Sequence, residues 1–157
     1  MAVLGAALAL GACTSMSRSA PVQALPADWA ANARVDQITL TKGEGIKTSA
    51  GFDGIFQQHV AAKLAQCATG ERPLRLEARI DRFDKADPVM TTLIAGANVL
   101  RGNARLVDVA TGQQVGEYAI GQTVVGGRIA VVLMAEAEEQ MSDAFGTELC
   151  KQAFSKP

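Results

Sequence analysis

Aromatic side chains and histidine are scarce in this sequence. Only 4% of its 157 residues are aromatic, Trp29 and Tyr118 are the single Trp and the single Tyr, and His59 is the one histidine. So few rings leave no stacking platform for bases or sugars. His59 has no acidic or nucleophilic motif beside it and reads as a structural side chain, not a catalytic one. Charge of one sign is missing too. Lys and Arg number 15 against 16 Asp and Glu, for a net charge of −1, so no strong field exists to draw nucleic acid or anionic lipid. No HExxH, GxSxG or P-loop pattern is found, nor cysteines and histidines at metal-ligand spacing. No cofactor or metal is therefore expected, and catalysis is disfavoured. No apolar run approaches the roughly 20 residues that a membrane-crossing helix needs.

One shorter apolar run is present at the N-terminus. Every residue from Ala2 to Ala12 is apolar or glycine, a length that suits the h-region of a signal peptide. The run closes as Leu10-Gly11-Ala12-Cys13, followed by Thr14 and Ser15. This tetrad resembles the lipobox of bacterial lipoproteins, in which the cysteine is lipidated and becomes the first residue of the mature chain. The resemblance implies a signal peptide over residues 1–12 and a lipidated Cys13, with more than one acyl chain giving stable anchoring. Thr14, where an inner-membrane lipoprotein carries Asp, implies the outer membrane and a domain facing the periplasm. No Lys or Arg precedes the run, which points to a start codon assigned too late and a basic n-region upstream.

The rest of the chain is long enough for one domain with a proper core. Residues 14–32 are rich in Ser, Ala and Pro, with Pro21 and Pro26 interrupting regular structure. A flexible tether is expected over 13–33, and a single α+β domain over 34–157. Trp29, near the end of the tether, either tucks against the domain edge or lies exposed. With Cys13 set aside, Cys67 and Cys150 remain, with no CxxC and no neighbouring histidine. In a periplasm such a pair predicts a structural disulfide, which would stabilise by about 4–5 kcal/mol in the chain-entropy model.

Periodicity supplies the elements. Alternation over Arg34–Thr41, with Ile38 and Leu40 on one side, predicts a first strand. Phe52, Phe56, Val60, Leu64 and Cys67 recur at helical spacing, so Phe52–Ala68 reads as a helix, with Asp53 near its start and Gly70 as its stop. Leu74, Leu76, Ala78 and Ile80 alternate with Arg75, Glu77, Arg79 and Asp81, a strand with one buried and one wet face that favours antiparallel pairing. The charged row reads as a solvated face. The stretch Val89–Leu100 has neither period. Its apolar residues Val89, Met90, Leu93, Ile94, Val99 and Leu100 are the candidate contact for a partner or ligand, the alternative being a buried approach to the third strand. Gly102–Val109 and Gln114–Val124 form a hairpin around Ala110–Gln113, with Gly at the demanding turn position. Arg128–Phe154 reads as a long helix, with Leu133, Ala137, Met141, Ala144, Phe145 and Leu149 inward and Glu136, Glu138, Glu139 and Asp143 toward solvent.

The order β-α-β-β-β-α predicts an α+β fold, a small mixed sheet with two helices packed on one face. A right-handed crossover sets the first two strands parallel. Both helices then run the same way and bring Cys67 and Cys150 to one end. This order, together with the lipobox, the tether and the hairpin Gly102–Val115 followed by Gly126-Gly127, resembles a group of uncharacterised proteobacterial lipoproteins. Their domain is similar to the N-terminal domain of TolB and to the folded part of envelope-assembly lipoproteins. The resemblance covers Arg34–Phe154 and carries over no functional residue except Cys13. Anchor, tether and domain read as a non-catalytic outer-membrane lipoprotein, held to the membrane by lipid on Cys13, whose periplasmic domain binds an envelope partner protein. The alternative is an auxiliary lipoprotein of a transporter that holds lipid or another apolar ligand between sheet and helices.

Overall fold

The computed structural model of the chain describes residues 14–86, 96–126 and 136–154. Cys13, Leu133 and four of the expected contact residues (Val89, Met90, Leu93 and Ile94) lie outside the described residues. In order, the elements are β1 (Thr14–Ser17), β2 (Ala20–Gln23), α1 (Ala27–Asn32), β3 (Ala33–Lys42), α2 (Phe52–Cys67), β4 (Arg72–Asp84), β5 (Gly96–Asp108), β6 (Gln114–Gly126) and α3 (Ala137–Leu149). A π-helical turn, Cys150–Phe154, continues α3. The strands lie in the order β1-β6-β5-β4-β3, with β2 also paired to β6. β3 and β4 are parallel, joined through α2, and the other pairs are antiparallel. This is the expected α+β architecture, β-α-β-β-β-α, with additional N-terminal strands.

The core lies between one face of the sheet and the helices. Strand alternation sends Leu74, Leu76, Ala78 and Ile80 of β4 inward opposite Leu106 and Ala104 of β5. The stripe Phe52, Phe56, Val60 and Leu64 of α2 is fully buried against them, as are Met141, Phe145 and Leu149 of α3. Phe56 meets Phe145 edge-on at 5.1 Å, and Phe52 meets Phe83 at 5.2 Å. The two helices run in the same direction, since Ser49, His59, Lys63 and Cys67 meet Glu138, Asp143, Gly146 and Cys150 in that order. Cys67 and Cys150 are joined as a disulfide, with Cα atoms 5.8 Å apart.

Three expectations are corrected. The segment read as a tether is paired: β1 and β2 both add to β6. Beyond them Leu25 is buried, and its backbone N–H donates to the Tyr118 hydroxyl at 2.7 Å. Pro21 does not prevent this, because it lies on an edge strand, where a missing N–H need cost no ladder bond. Trp29 packs against the core edge under the Arg72 guanidinium, 4.0 Å from the ring centre. Next, β5 starts at Gly96, so Val99 and Leu100 are strand residues. Leu100 is fully buried and faces Phe83 across the sheet, and so belongs to the core, not to a contact surface. A bulge in β4 between Ile80 and Arg82 resets the alternation and turns Phe83 inward to meet it. Last, Glu138 is buried instead of solvent-facing.

Candidate docking face

With the helices on one face, the other face of the sheet is built by the alternate residues of the same strands. The register places Glu77 beside Arg105, Arg79 beside Asn103, and Arg82 beside Arg101. Across the next strand pair Arg105 faces Glu117 and Arg101 faces Gly121. Residues two apart on a strand share a face, and here three arginines of β4 each bind the carboxylate two positions on. Arg75 reaches Glu77 at 2.9 Å, Arg79 reaches Asp81 at 2.7 Å, and Arg82 reaches Asp84 at 2.5 Å. Arg105 donates to Gln114 at 2.7 Å and stands 3.9 Å from Glu77. The outcome is a ladder of ion pairs in fixed positions on a surface that no helix among the described residues covers. The rungs are exposed or, at Arg75–Glu77, half-buried, and such surface pairs contribute little to stability, about 0–1 kcal/mol each. The charged row expected as a solvated face is that face.

Beside the ladder, Arg18 and Arg101 have no carboxylate partner among the described residues. Both line a surface basin of about 320 Å³, floored by Gly102, Ala119 and Gly121 and bordered by Asp81 and Asn103. A smaller depression of about 270 Å³ lies over Thr39, Thr41 and Arg105 on the same face.

The helix side carries polar groups of another kind. Glu138 accepts from the Ser49 backbone N–H at 2.8 Å and the Ser49 hydroxyl at 2.5 Å, and from Lys85 Nζ at 2.7 Å. Burial pushes this carboxyl up, but the hydrogen bonds from Lys85 and Ser49 outweigh it and hold the group below its ordinary range. Three segments far apart in sequence are tied there at the start of α3. The periodic reading of α3 missed this because Glu138 is paired by residues outside its own helix. Glu148 is likewise buried and accepts from Gln122 at 2.8 Å. His59 is half-buried, its Nδ1 3.0 Å from Asp143, with Lys63 at 3.6 Å from the same carboxylate. Among the described residues no group of three or more His, Cys, Asp or Glu side chains is placed to hold a metal ion. At the hairpin, the Thr111 hydroxyl bond to Asp108 and the N–H of Ala110 hold that carboxyl below its usual range, and Gly112 takes the left-handed conformation that the turn requires, φ 70°.

Of the expected site residues, Cys67 and Cys150 come together. Val99 stands on the open face opposite Thr123, with Asp84 on its other side. The layer in which an apolar ligand was expected is occupied by the rings of Phe52, Phe56, Phe83 and Phe145.

No protein-family model matches this chain, and no curated protein matches it either. Its fold does recur among solved structures. PelC from Paraburkholderia phytofirmans, solved as a dodecamer, superimposes with a TM-score of 0.56 at 11% identity, over 91% of this chain and 100% of that one. Protein XCC0632 from Xanthomonas campestris, of the DUF330 family, gives 0.53 at 14% identity, over 82% of this chain and 87% of that one. A lipoprotein candidate from Caulobacter crescentus matches at 0.46 and 14% identity over 73% of this chain, too loose a fit to carry an argument. The likeness is one of fold. The expected similarity to TolB has no support among these neighbours.

Proposed function

We propose that this chain is a non-catalytic, lipid-anchored protein of the cell envelope whose domain binds a partner protein through the open face of its sheet. The observation that carries the reading is the ion-pair ladder: arginines and carboxylates held in register on a surface that no helix among the described residues covers. Such patterned charge favours recognition of a complementary partner over affinity for any polyanion. The lipobox at Cys13 supports the anchor, and the placement of Thr14 in a paired strand brings that anchor directly to the sheet. Outer-membrane location with the domain in the periplasm follows from Thr14 after the cysteine.

Two measurements test the proposal. Intact mass of the membrane-extracted protein is expected to show acylation on Cys13, and an unprocessed chain with free thiols would overturn the anchored reading. For docking, a photo-crosslinking residue at Thr41 or Asn103 on the open face is expected to give one discrete adduct in cells, while one at Gln57 on α2 gives none. Crosslinks confined to α2, or absent everywhere, reject docking through the sheet.

A further inference from the structure

The guanidiniums of the open face are not all neutralised. Arg75, Arg79 and Arg82 are neutralised by Glu77, Asp81 and Asp84, and Arg105 stands 3.9 Å from Glu77 while donating to Gln114. The remaining carboxylate, Glu117, faces Arg105 across the strand pair and accepts from Gln114. The surplus positive charge of the face is thus left on Arg18 and Arg101, and both line the same basin. Asp81 also borders the basin, but its two oxygens are taken, one by Arg79 and one by Asn103. Glycine at 121 lets the Arg18 segment lie close against β6, since a Cβ there would stand 3.0 Å from the Arg18 carbonyl oxygen.

We infer that this basin is a binding site for a phosphate group. A guanidinium is a rigid fork of donors with no acceptor, matched to oxyanions. A carboxylate carries one negative charge against the two positive charges of Arg18 and Arg101, and in the ladder beside the basin each arginine of β4 takes a single carboxylate oxygen. A phosphate presents a third oxygen, so it can satisfy two separate guanidiniums at once. The basin, at about 320 Å³, also has room for the substituent that a phosphate ester carries. The same chemistry is offered by a free phosphate ester and by the headgroup of an anionic phospholipid. The site goes beyond the docking reading and does not depend on it, because crosslinking reports the partner whether or not the basin is filled.

The test uses the full chain with Cys13→Ser, so that no acyl chain contributes. Inorganic phosphate is titrated by calorimetry into this protein and into R18Q, R101Q and R75Q. Each basin variant is expected to weaken phosphate binding about tenfold, the loss typical of one charge-assisted hydrogen bond. R75Q is expected to leave binding unchanged, because Arg75 is bound to Glu77. In a second arm the proteins are sedimented with phosphatidylcholine vesicles with and without phosphatidylglycerol. Binding that requires phosphatidylglycerol, Arg18 and Arg101, without binding of inorganic phosphate, would identify the phosphate as a lipid headgroup. Absence of binding in both arms, or equal binding by R18Q, R101Q and the parent, overturns the site. All three substitutions are at exposed or half-buried side chains, and unchanged melting temperatures verify that the variants fold.

Discussion

Single side chains decide how the ends of this chain are held. Tyr118 is buried, which raises its pKa, and its hydroxyl accepts from the Leu25 N–H. Tyr118→Phe removes that acceptor and leaves a buried donor unsatisfied. A loss of about 1–2 kcal/mol is expected, with new protease cleavage confined to residues 14–26. Glu138 sets the acid limit of the fold. Its folded pKa lies below the ordinary value of 4.5, so its contribution is complete above that value and is lost as pH falls through the folded pKa. Asp108, also lowered, acts in the same direction. The melting temperature should therefore decline on acidification below the ordinary carboxylate range, and less steeply in Glu138→Gln, which is already destabilised at neutral pH. Residue by residue, the core was legible where alternation was clean, as in Leu74, Leu76, Ala78 and Ile80. At Leu100 the sequence left core and contact surface both open, because glycine at 102 and an asparagine at 98 interrupt the apolar row of β5 and a bulge shifts its partner strand.

Between elements, the close packing of α2 on α3 is the feature most open to test. A Cβ on Gly146 would stand 2.8 Å from Cβ of Lys63 and 3.2 Å from Cα of Val60, so the helices touch where no side chain fits. Gly146→Ala should force them apart and cost about 1–3 kcal/mol, the range for overpacking, despite the better helix propensity of alanine. One turn further on, the Cys67–Cys150 bridge spans a sequence separation of 83. Its removal by Cys67→Ala with Cys150→Ala should lower unfolding stability by about 4–5 kcal/mol in the chain-entropy model, measured by denaturant titration. α2 and α3 could be read from the sequence because each carries an apolar stripe, and their common direction from the right-handed crossover, whereas α1 lies in the segment read as a tether. The N-terminal strands could not, since β1 and β2 are four residues each and acquire their identity only from the edge of β6. Short strands have no period of their own to show.

Taken whole, the molecule places its apolar core and its charged rows on opposite sides of one sheet. That division was visible in β4 alone, from the contrast between its apolar and charged rows. The basin beside it was not, because it is assembled from β1–β2, β5 and β6, and nothing in the spacing of Arg18 and Arg101 announces that they meet. Substitutions on the open face should leave melting temperature nearly unchanged while altering binding. Core substitutions such as Phe145→Ala should cost about 3–5 kcal/mol.

The pairing of Thr14 with Val125 has a consequence for height. A lipid on Cys13 would leave one peptide unit, about 3.8 Å, between the bilayer surface and the sheet, so the domain would have no slack with which to wander. The end carrying Gly126, Asp84 and the Glu138 clasp would rest near the lipid, and the hairpin at Gly112 and the Cys67–Cys150 bridge would mark the far end. β6 is 13 residues long, and at about 3.3 Å per residue the hairpin would stand roughly 40 Å above the membrane when the strands are upright. Anchored so, the domain would stand as a post of set length, and the proposed partner would be met at an altitude written into the sheet.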